Sequence, residues 1–83
     1  MKEQDTQTLT LEIKKIISKI IEIDAEKIDS NLHLVEDLGA DSMMVLEIMA
    51  ALDKKYNVNI AESDLPKLTS LSSIVDVIAR LLG

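Results

Sequence analysis

The chain has 83 residues, a formal net charge of −6 and no cysteine, which excludes disulfides, thiolate metal sites and a cysteine nucleophile. Residues 22–64 hold eleven acidic residues and three lysines, and no basic surface is left for nucleic acid, so we expect no nucleic-acid partner. No segment approaches the roughly 20 apolar residues of a membrane span or has the pattern of a signal peptide, and we expect a cytoplasmic protein.

The first predicted helix covers residues 9–23. Apolar residues recur there at helical spacing on one broad face, while lysines occupy the other side. The apolar set is Leu9, Ile13, Ile16, Ile17, Ile20, Ile21 and Ile23. We expect Thr6 or Thr8 to cap this helix, because threonine is a favourable N-cap residue.

A long connection, residues 24–40, follows the first helix, and its apolar residues are expected to anchor it to the core. These anchors are Ile28, Leu32, Leu34, Val35 and Leu38. A second helix is predicted from Ser42 to Tyr56, and its buried face would hold Val45, Ile48, Met49, Leu52 and Tyr56. The opposite face suits contact with another protein, and it carries Met43, Glu47, Ala50, Ala51 and Lys54.

The segment from Asn57 to Ser70 is predicted to contain one short helical turn at 62–65, because Pro66 disfavours a regular helix beyond it. A last helix is predicted to start near Thr69 or Ser70. Its predicted buried set is Leu71, Ile74, Val75, Ile78 and Leu82. The patterns together predict an all-α fold, a small bundle of three long helices plus one short helix, in a single domain of residues 1–83.

Asp41 and Ser42 stand where the long connection meets the second helix. This position should expose the Ser42 hydroxyl at a helix N-terminus, where unpaired N–H groups and the helix dipole favour an attached phosphate. Gly39, just before, gives the backbone conformational freedom and lets a partner approach closely. Aspartate and serine are also common N-caps, so the dipeptide alone favours a simple cap. The residues that surround this dipeptide favour a role for Ser42 beyond capping.

The sequence of residues 31–42, NLHLVEDLGADS, is similar to the segment of acyl carrier proteins that leads to their modified serine. Leu34 takes the place of the aromatic residue usual in that family. Further counterparts occur in the family's order and spacing at Glu47, Tyr56, Val58, Asn59, Ile60, Thr69, Ser70 and Leu71. The resemblance therefore covers essentially the whole chain, including its helical layout.

The resemblance implies that Ser42 receives 4′-phosphopantetheine from coenzyme A through a separate phosphopantetheinyl transferase. The thiol of this arm would hold acyl groups as thioesters and present them to acyl-loading and acyl-processing enzymes of fatty acid, lipid or polyketide biosynthesis. The chain would then be a monomeric covalent carrier, with the chemistry performed by its partner enzymes. The implied partner-recognition residues are Asp37, Asp41, Met43 and Glu47.

Two departures from the family pattern weaken the acidity of the second helix. Met44 stands where fatty-acid carriers usually have an acid, and Lys54 and Lys55 replace further acidic residues. We therefore expect a specialised carrier with weaker electrostatic steering, which Met44→Asp should strengthen. An aminoacyl carrier of the D-alanyl type is the alternative within this class, because those carriers also use Asp-Ser-Met. Met1 and an early first helix indicate a free-standing carrier.

Three other classes compete with a carrier. A serine hydrolase would need Ser42 and His33, the only histidine, but the chain lacks a Gly-x-Ser-x-Gly turn, and a lone histidine in a polar loop is usually a surface residue. The acids Glu36, Asp37 and Asp41 lack the alternating spacing of a calcium loop, so no metal site is assigned. An unmodified helical adaptor would explain the amphipathic helices but not the ordered match around Ser42.

Overall fold

The computed structural model describes the backbone of residues 3–83 and the side chains of residues 6–83. Three long helices and two short 3₁₀ helices make up its secondary structure: α1 (Glu3–Ile21), a 3₁₀ helix (Ala25–Lys27), α2 (Ser42–Tyr56), a second 3₁₀ helix (Glu62–Lys67) and α3 (Leu71–Leu82). No strand occurs in residues 3–83. An isolated antiparallel bridge pairs His33 with Ser70. The predicted all-α bundle is confirmed, although the turn at Ala25–Lys27 was not predicted. Met1, which suggested a free-standing chain, lies outside the described residues.

The limits of α1 differ from the prediction at both ends. The helix already begins at Glu3, so Thr6 and Thr8 lie inside it and the predicted cap was wrong. Glutamate and glutamine have higher helix propensity than threonine, which explains the earlier start. The helix ends at Ile21 because Glu22 adopts a left-handed conformation with φ 58°. Ser18 fixes this end, since its carbonyl accepts from the N–H of Ile23 at 3.2 Å.

The contacts between elements set the direction of the helices. The hydroxyl of Tyr56 donates to Oε1 of Glu12 at 2.8 Å, so the end of α2 lies beside the middle of α1. At the other end, the N–H of Ser72 donates to the carbonyl of Ser30 at 3.1 Å, which ties the first turn of α3 to the long connection. Glu22 and Ile23, just after α1, line one cleft with Asp37 and Leu38 of the loop that leads to α2, so both α2 and α3 begin at the end of the bundle where α1 finishes.

The core is aliphatic and is shared by all three long helices and the long connection. Its fully buried side chains are Ile13, Ile17, Ile28, Leu34, Ile48, Leu52, Leu71, Ile74 and Ile78. The predicted buried face of α3 is correct except at Leu82, which lies in the last turn and is 40% exposed. Val77, which was not predicted to be buried, is only 3% exposed, so α3 is covered on a broader face than its spacing indicated.

Candidate site at the start of helix α2

Ser42 is the first residue of α2, and its side chain is exposed. Asp41 is the N-cap: its Oδ1 accepts from the backbone N–H of Met44 at 2.9 Å, and its carbonyl accepts from Val45 at 3.1 Å. The two adjacent residues therefore have different roles. Asp41 closes the helix end, and the Ser42 hydroxyl has no hydrogen-bond partner among the described side chains and backbone.

The start of α2 can accept an anion. The N–H groups of Ser42 and Met43 have no partner in the part of the chain that the structure describes, as expected for the first turn of a helix. No acidic residue lies in that first turn, so only the charge of Asp41 offsets the positive end of the helix dipole. A phosphate ester on the Ser42 oxygen would therefore lie beside unpaired donors and a favourable dipole.

The loop before Ser42 is held by backbone hydrogen bonds to the start of α3. Leu34 is fully buried, its N–H donates to the carbonyl of Thr69 at 2.8 Å, and its carbonyl accepts from Ala40 at 2.9 Å. Gly39, between these anchors, has φ 75°, a left-handed conformation that side chains disfavour. A Cβ on Gly39 would meet nothing within 4 Å, so the conformation of its backbone, and not lack of space, favours glycine.

His33 organises the same loop through its backbone and its ring. Nδ1 accepts from the N–H groups of Val35 and Glu36, each at 3.2 Å, while the N–H of His33 donates to Oδ2 of Asp37 at 2.7 Å. The ring is half-buried, and no hydrogen bond joins it to Ser42. Because Nδ1 accepts two backbone N–H groups, the neutral ring carries its proton on Nε2, so in this arrangement Nε2 cannot act as the base that a serine hydrolase needs beside Ser42.

The predicted recognition residues lie at three different places around Ser42. Met43 is 64% exposed, and Glu47, one turn later, lies on the exposed side of α2. Asp41 caps the helix between them and the loop. Asp37 is exposed, accepts from the N–H of His33 through Oδ2 and lines a separate cleft with Glu22.

An apolar groove beside Ser42 was not predicted. Its volume is about 320 Å³, and its walls include Val35, Leu46, Leu65 and Pro66. Val35, expected to be a core anchor, is 46% exposed, and Leu46 is 40% exposed. Leu46 follows Ser42 by four residues, a spacing that places both residues on the same side of a helix. This spacing was the sequence signal that could have predicted Leu46 beside Ser42. The 3₁₀ helix Glu62–Lys67 supplies the opposite wall, which only tertiary packing brings near.

Other kinds of site were sought in the same part of the chain. Within the described residues, no three histidine, cysteine, aspartate or glutamate side chains are grouped so that they could hold a metal ion. Among residues 3–83, none of the helices combines the length and apolar character needed to cross a membrane.

Comparisons with known proteins show the family of the chain. A family model described as "Phosphopantetheine attachment site" matches residues 12–78. The acyl carrier protein of Buchnera aphidicola subsp. Schizaphis graminum is 39% identical over 66 residues, which are 80% of this chain and 84% of that protein. The polyketide-8 synthase acyl carrier protein 2 of Streptomyces avermitilis is 32% identical over 84 aligned residues, covering 100% of this chain and 97% of that protein.

A solved structure, the apo doublet acyl carrier protein from prodigiosin biosynthesis, matches with a TM-score of 0.82 and 19% identity, a likeness that concerns the fold alone. The match covers 96% of this chain but only 38% of that longer protein. The family match also gives the prosthetic group, a covalently attached 4′-phosphopantetheine. From its helical bundle, its family match and its relatives, the chain belongs to the acyl carrier protein family.

Proposed function

We propose that Ser42 is the residue that carries the 4′-phosphopantetheine arm. The observation that supports this assignment most directly is the exposed, unpaired hydroxyl of Ser42 at the first position of α2. The neighbouring N–H groups of Ser42 and Met43 would stabilise the phosphodiester formed there. The negative charge of Asp41 opposes this ester, whereas its capping bond to Met44 fixes the start of the helix that presents Ser42.

In this proposal the chain holds Ser42 in a fixed position, and the transferase provides the catalytic base. Ser42 needs only exposure and a fixed orientation if its proton is removed by a group of the partner enzyme. Both conditions hold: Asp41 fixes the helix start, and the bonds of Leu34 to Thr69 and Ala40 fix the loop before it. The left-handed Gly39 lies in open space, which suits close approach of the transferase.

The attached arm would supply a terminal thiol that carries acyl groups as thioesters. In this proposal the chain is one carrier domain, residues 1–83, that acts as a cytoplasmic monomer and leaves bond making to acyl-loading and acyl-processing enzymes. The names of its relatives support pathways that build acyl chains: one is called an acyl carrier protein and another is assigned to a polyketide synthase. We accordingly propose service to fatty acid, lipid or polyketide biosynthesis.

The surface of α2 supports a specialised member of this group. Lys54 and Lys55 are exposed, so the last turn of α2 is basic. Met44 is half-buried against the core, and it therefore belongs to the packing of α2 more than to a charged recognition surface. Met44→Asp would bring a carboxylate to the core edge, so it cannot test steering cleanly. Met43 and Glu47 are the better candidates for partner recognition at this surface.

The groove beside Ser42 suits the apolar part of the cargo. Leu46, Leu65 and Pro66 line it within reach of the helix start, and their exposed surface would be covered by a bound aliphatic chain. We propose that the first atoms of an acyl chain bend from the arm into this groove.

Intact-protein mass spectrometry tests the assignment. The folded chain is incubated with coenzyme A and a broad-specificity phosphopantetheinyl transferase, beside Ser42→Ala and a matched control, Ser63→Ala, which changes another exposed serine. We expect the wild type and Ser63→Ala to gain one phosphopantetheine and Ser42→Ala to gain none. Modification of Ser42→Ala would place the arm elsewhere, and no gain with several transferases would favour an unmodified helical adaptor. Octanoyl loading should then shift the NMR signals of Leu46 and Leu65.

A further inference from the structure

A basic cleft lies between α1 and the end of α2, away from the site at Ser42. Its volume is about 280 Å³, and Lys15 and Lys19 of α1 and Lys55 of α2 line it together with Glu12 and Ile16. All three lysines are exposed. Two helices thus direct three positive charges to one concave surface in a chain whose net charge is −6.

The three lysines outnumber the acid that lines the cleft with them, Glu12. Among the described side chains, residues 6–83, none of them lies within 4.0 Å of a carboxylate oxygen, whereas Lys67 pairs with Asp64 at 3.4 Å. Glu12, the acid of the cleft, accepts the hydroxyl hydrogen of Tyr56 at 2.8 Å. The Nζ of Lys55 lies 5.7 Å from the centroid of the Tyr56 ring, a weak contact that leaves its donors free for an anion.

This cleft is spatially separate from the proposed attachment site. Lys55 follows Ser42 by 13 residues on the same helix, and at the rise of an α-helix this spacing corresponds to about 20 Å. That distance exceeds the Debye length of about 8 Å at physiological ionic strength, so charges near Ser42 and charges of the cleft act on partners nearly independently. A protein held at the cleft would leave the exposed start of α2 uncovered.

We propose that this cleft is a second docking surface, which binds an acidic segment of a partner protein. A protruding pair of aspartate or glutamate side chains can enter between α1 and α2 and meet Lys15, Lys19 and Lys55 together. An anionic membrane is the less suitable partner, because an extended plane would also approach the acidic residues that dominate the remaining surface. Such docking would hold the carrier near one enzyme while its arm is served by another.

The probe is an acetylated hexaglutamate peptide, titrated into the ¹⁵N-labelled apo protein at low salt, with the matched glutamine peptide as a reference. We expect amide shifts that concentrate at residues 12–19 and 54–56 and that disappear as salt is added. The variant Lys15→Gln/Lys19→Gln/Lys55→Gln should bind about tenfold more weakly. Its control, Lys27→Gln/Lys67→Gln/Arg80→Gln, has the same net charge and alters exposed positions outside the cleft.

Shifts that are absent, or that spread evenly over the surface, would overturn the proposal, as would equal weakening by both triple variants. Sedimentation with phosphatidylcholine–phosphatidylglycerol vesicles gives the other arm of the test. Suppose that the vesicles retain the wild type and the control but not the cleft variant, and that the peptide causes no localised shifts. The cleft would then be assigned to an anionic lipid surface instead. Because apo protein is used, failure of Ser42 modification would leave the result unaffected, and circular dichroism verifies that both variants are folded.

Discussion

Replacement of Asp41 separates a capping role from a role of its charge. In the structure its Oδ1 accepts one hydrogen bond, from Met44 N–H at 2.9 Å, at an exposed helix end. Loss of an N-cap acceptor costs about 1 kcal/mol, and loss of the negative charge from the positive helix end adds roughly 0.3–1 kcal/mol at low salt. We therefore expect Asp41→Ala to lower the free energy of unfolding by about 1–2 kcal/mol. Asp41→Asn, which keeps the acceptor but loses the charge, should lower it by only the charge contribution, roughly 0.3–1 kcal/mol at low salt.

Urea and thermal unfolding at low and high salt measure these effects, with a Tm change of roughly 4–8 °C for each kcal/mol in a domain of this size. Asp24→Ala is a matched control, because Asp24 precedes a 3₁₀ helix without a capping side-chain bond. Equal losses for Asp41→Ala and Asp41→Asn would show that charge, and not the cap, stabilises the helix start. No loss for Asp41→Ala would refute the capping argument. If Asp41→Asn is stable but is modified slowly at Ser42, the transferase recognises the negative charge of Asp41.

Two further predictions concern the loop and the far end of α2. His33→Ala should expose the amides of Val35 and Glu36 to faster hydrogen exchange, with a stability loss below about 1 kcal/mol because water replaces the lost acceptor; unchanged exchange would show that the ring does not hold this turn. Tyr56→Phe should cost about 1 kcal/mol through loss of the bond to Glu12. Burial, followed by the bond and charge of Glu12, raises the pKa of Tyr56 above its usual range. This contribution is complete below about pH 10 and is lost as pH rises towards the folded pKa, so the stability gap between wild type and Tyr56→Phe should close at alkaline pH.

Local features of the sequence were sufficient to predict the limits of α2 and the position of Ser42 at its start. The predicted range, Ser42 to Tyr56, agrees with the structure because an aspartate cap and a regular apolar spacing mark the start, and Asn57 ends the helix in a left-handed conformation with φ 53°. The same kind of reasoning failed at the start of α1. A threonine is a possible cap wherever it occurs, and helix propensity of the residues before it favoured an earlier start.

The role of the predicted recognition residues illustrates a second limit. Asp37 and Asp41 look alike in sequence, yet one binds the backbone of His33 and the other caps α2. The sequence indicated that Met44 occupies a recognition position from which the usual acid is missing. In the structure Met44 is instead half-buried against the core. Spacing predicts which side of a helix a residue occupies, but the neighbouring elements decide whether that side is open to a partner.

The sequence by itself determined the all-α class, the aliphatic faces and an exposed serine at the start of α2, because these follow from periodicity and local capping within a few residues. The tertiary structure alone decided the groove beside Ser42 and the basic cleft. The first is lined by Leu46 and Pro66, and the second by Lys15, Lys19 and Lys55. These residues are distant in the chain, and only burial of the shared core sets the helix directions that bring them together.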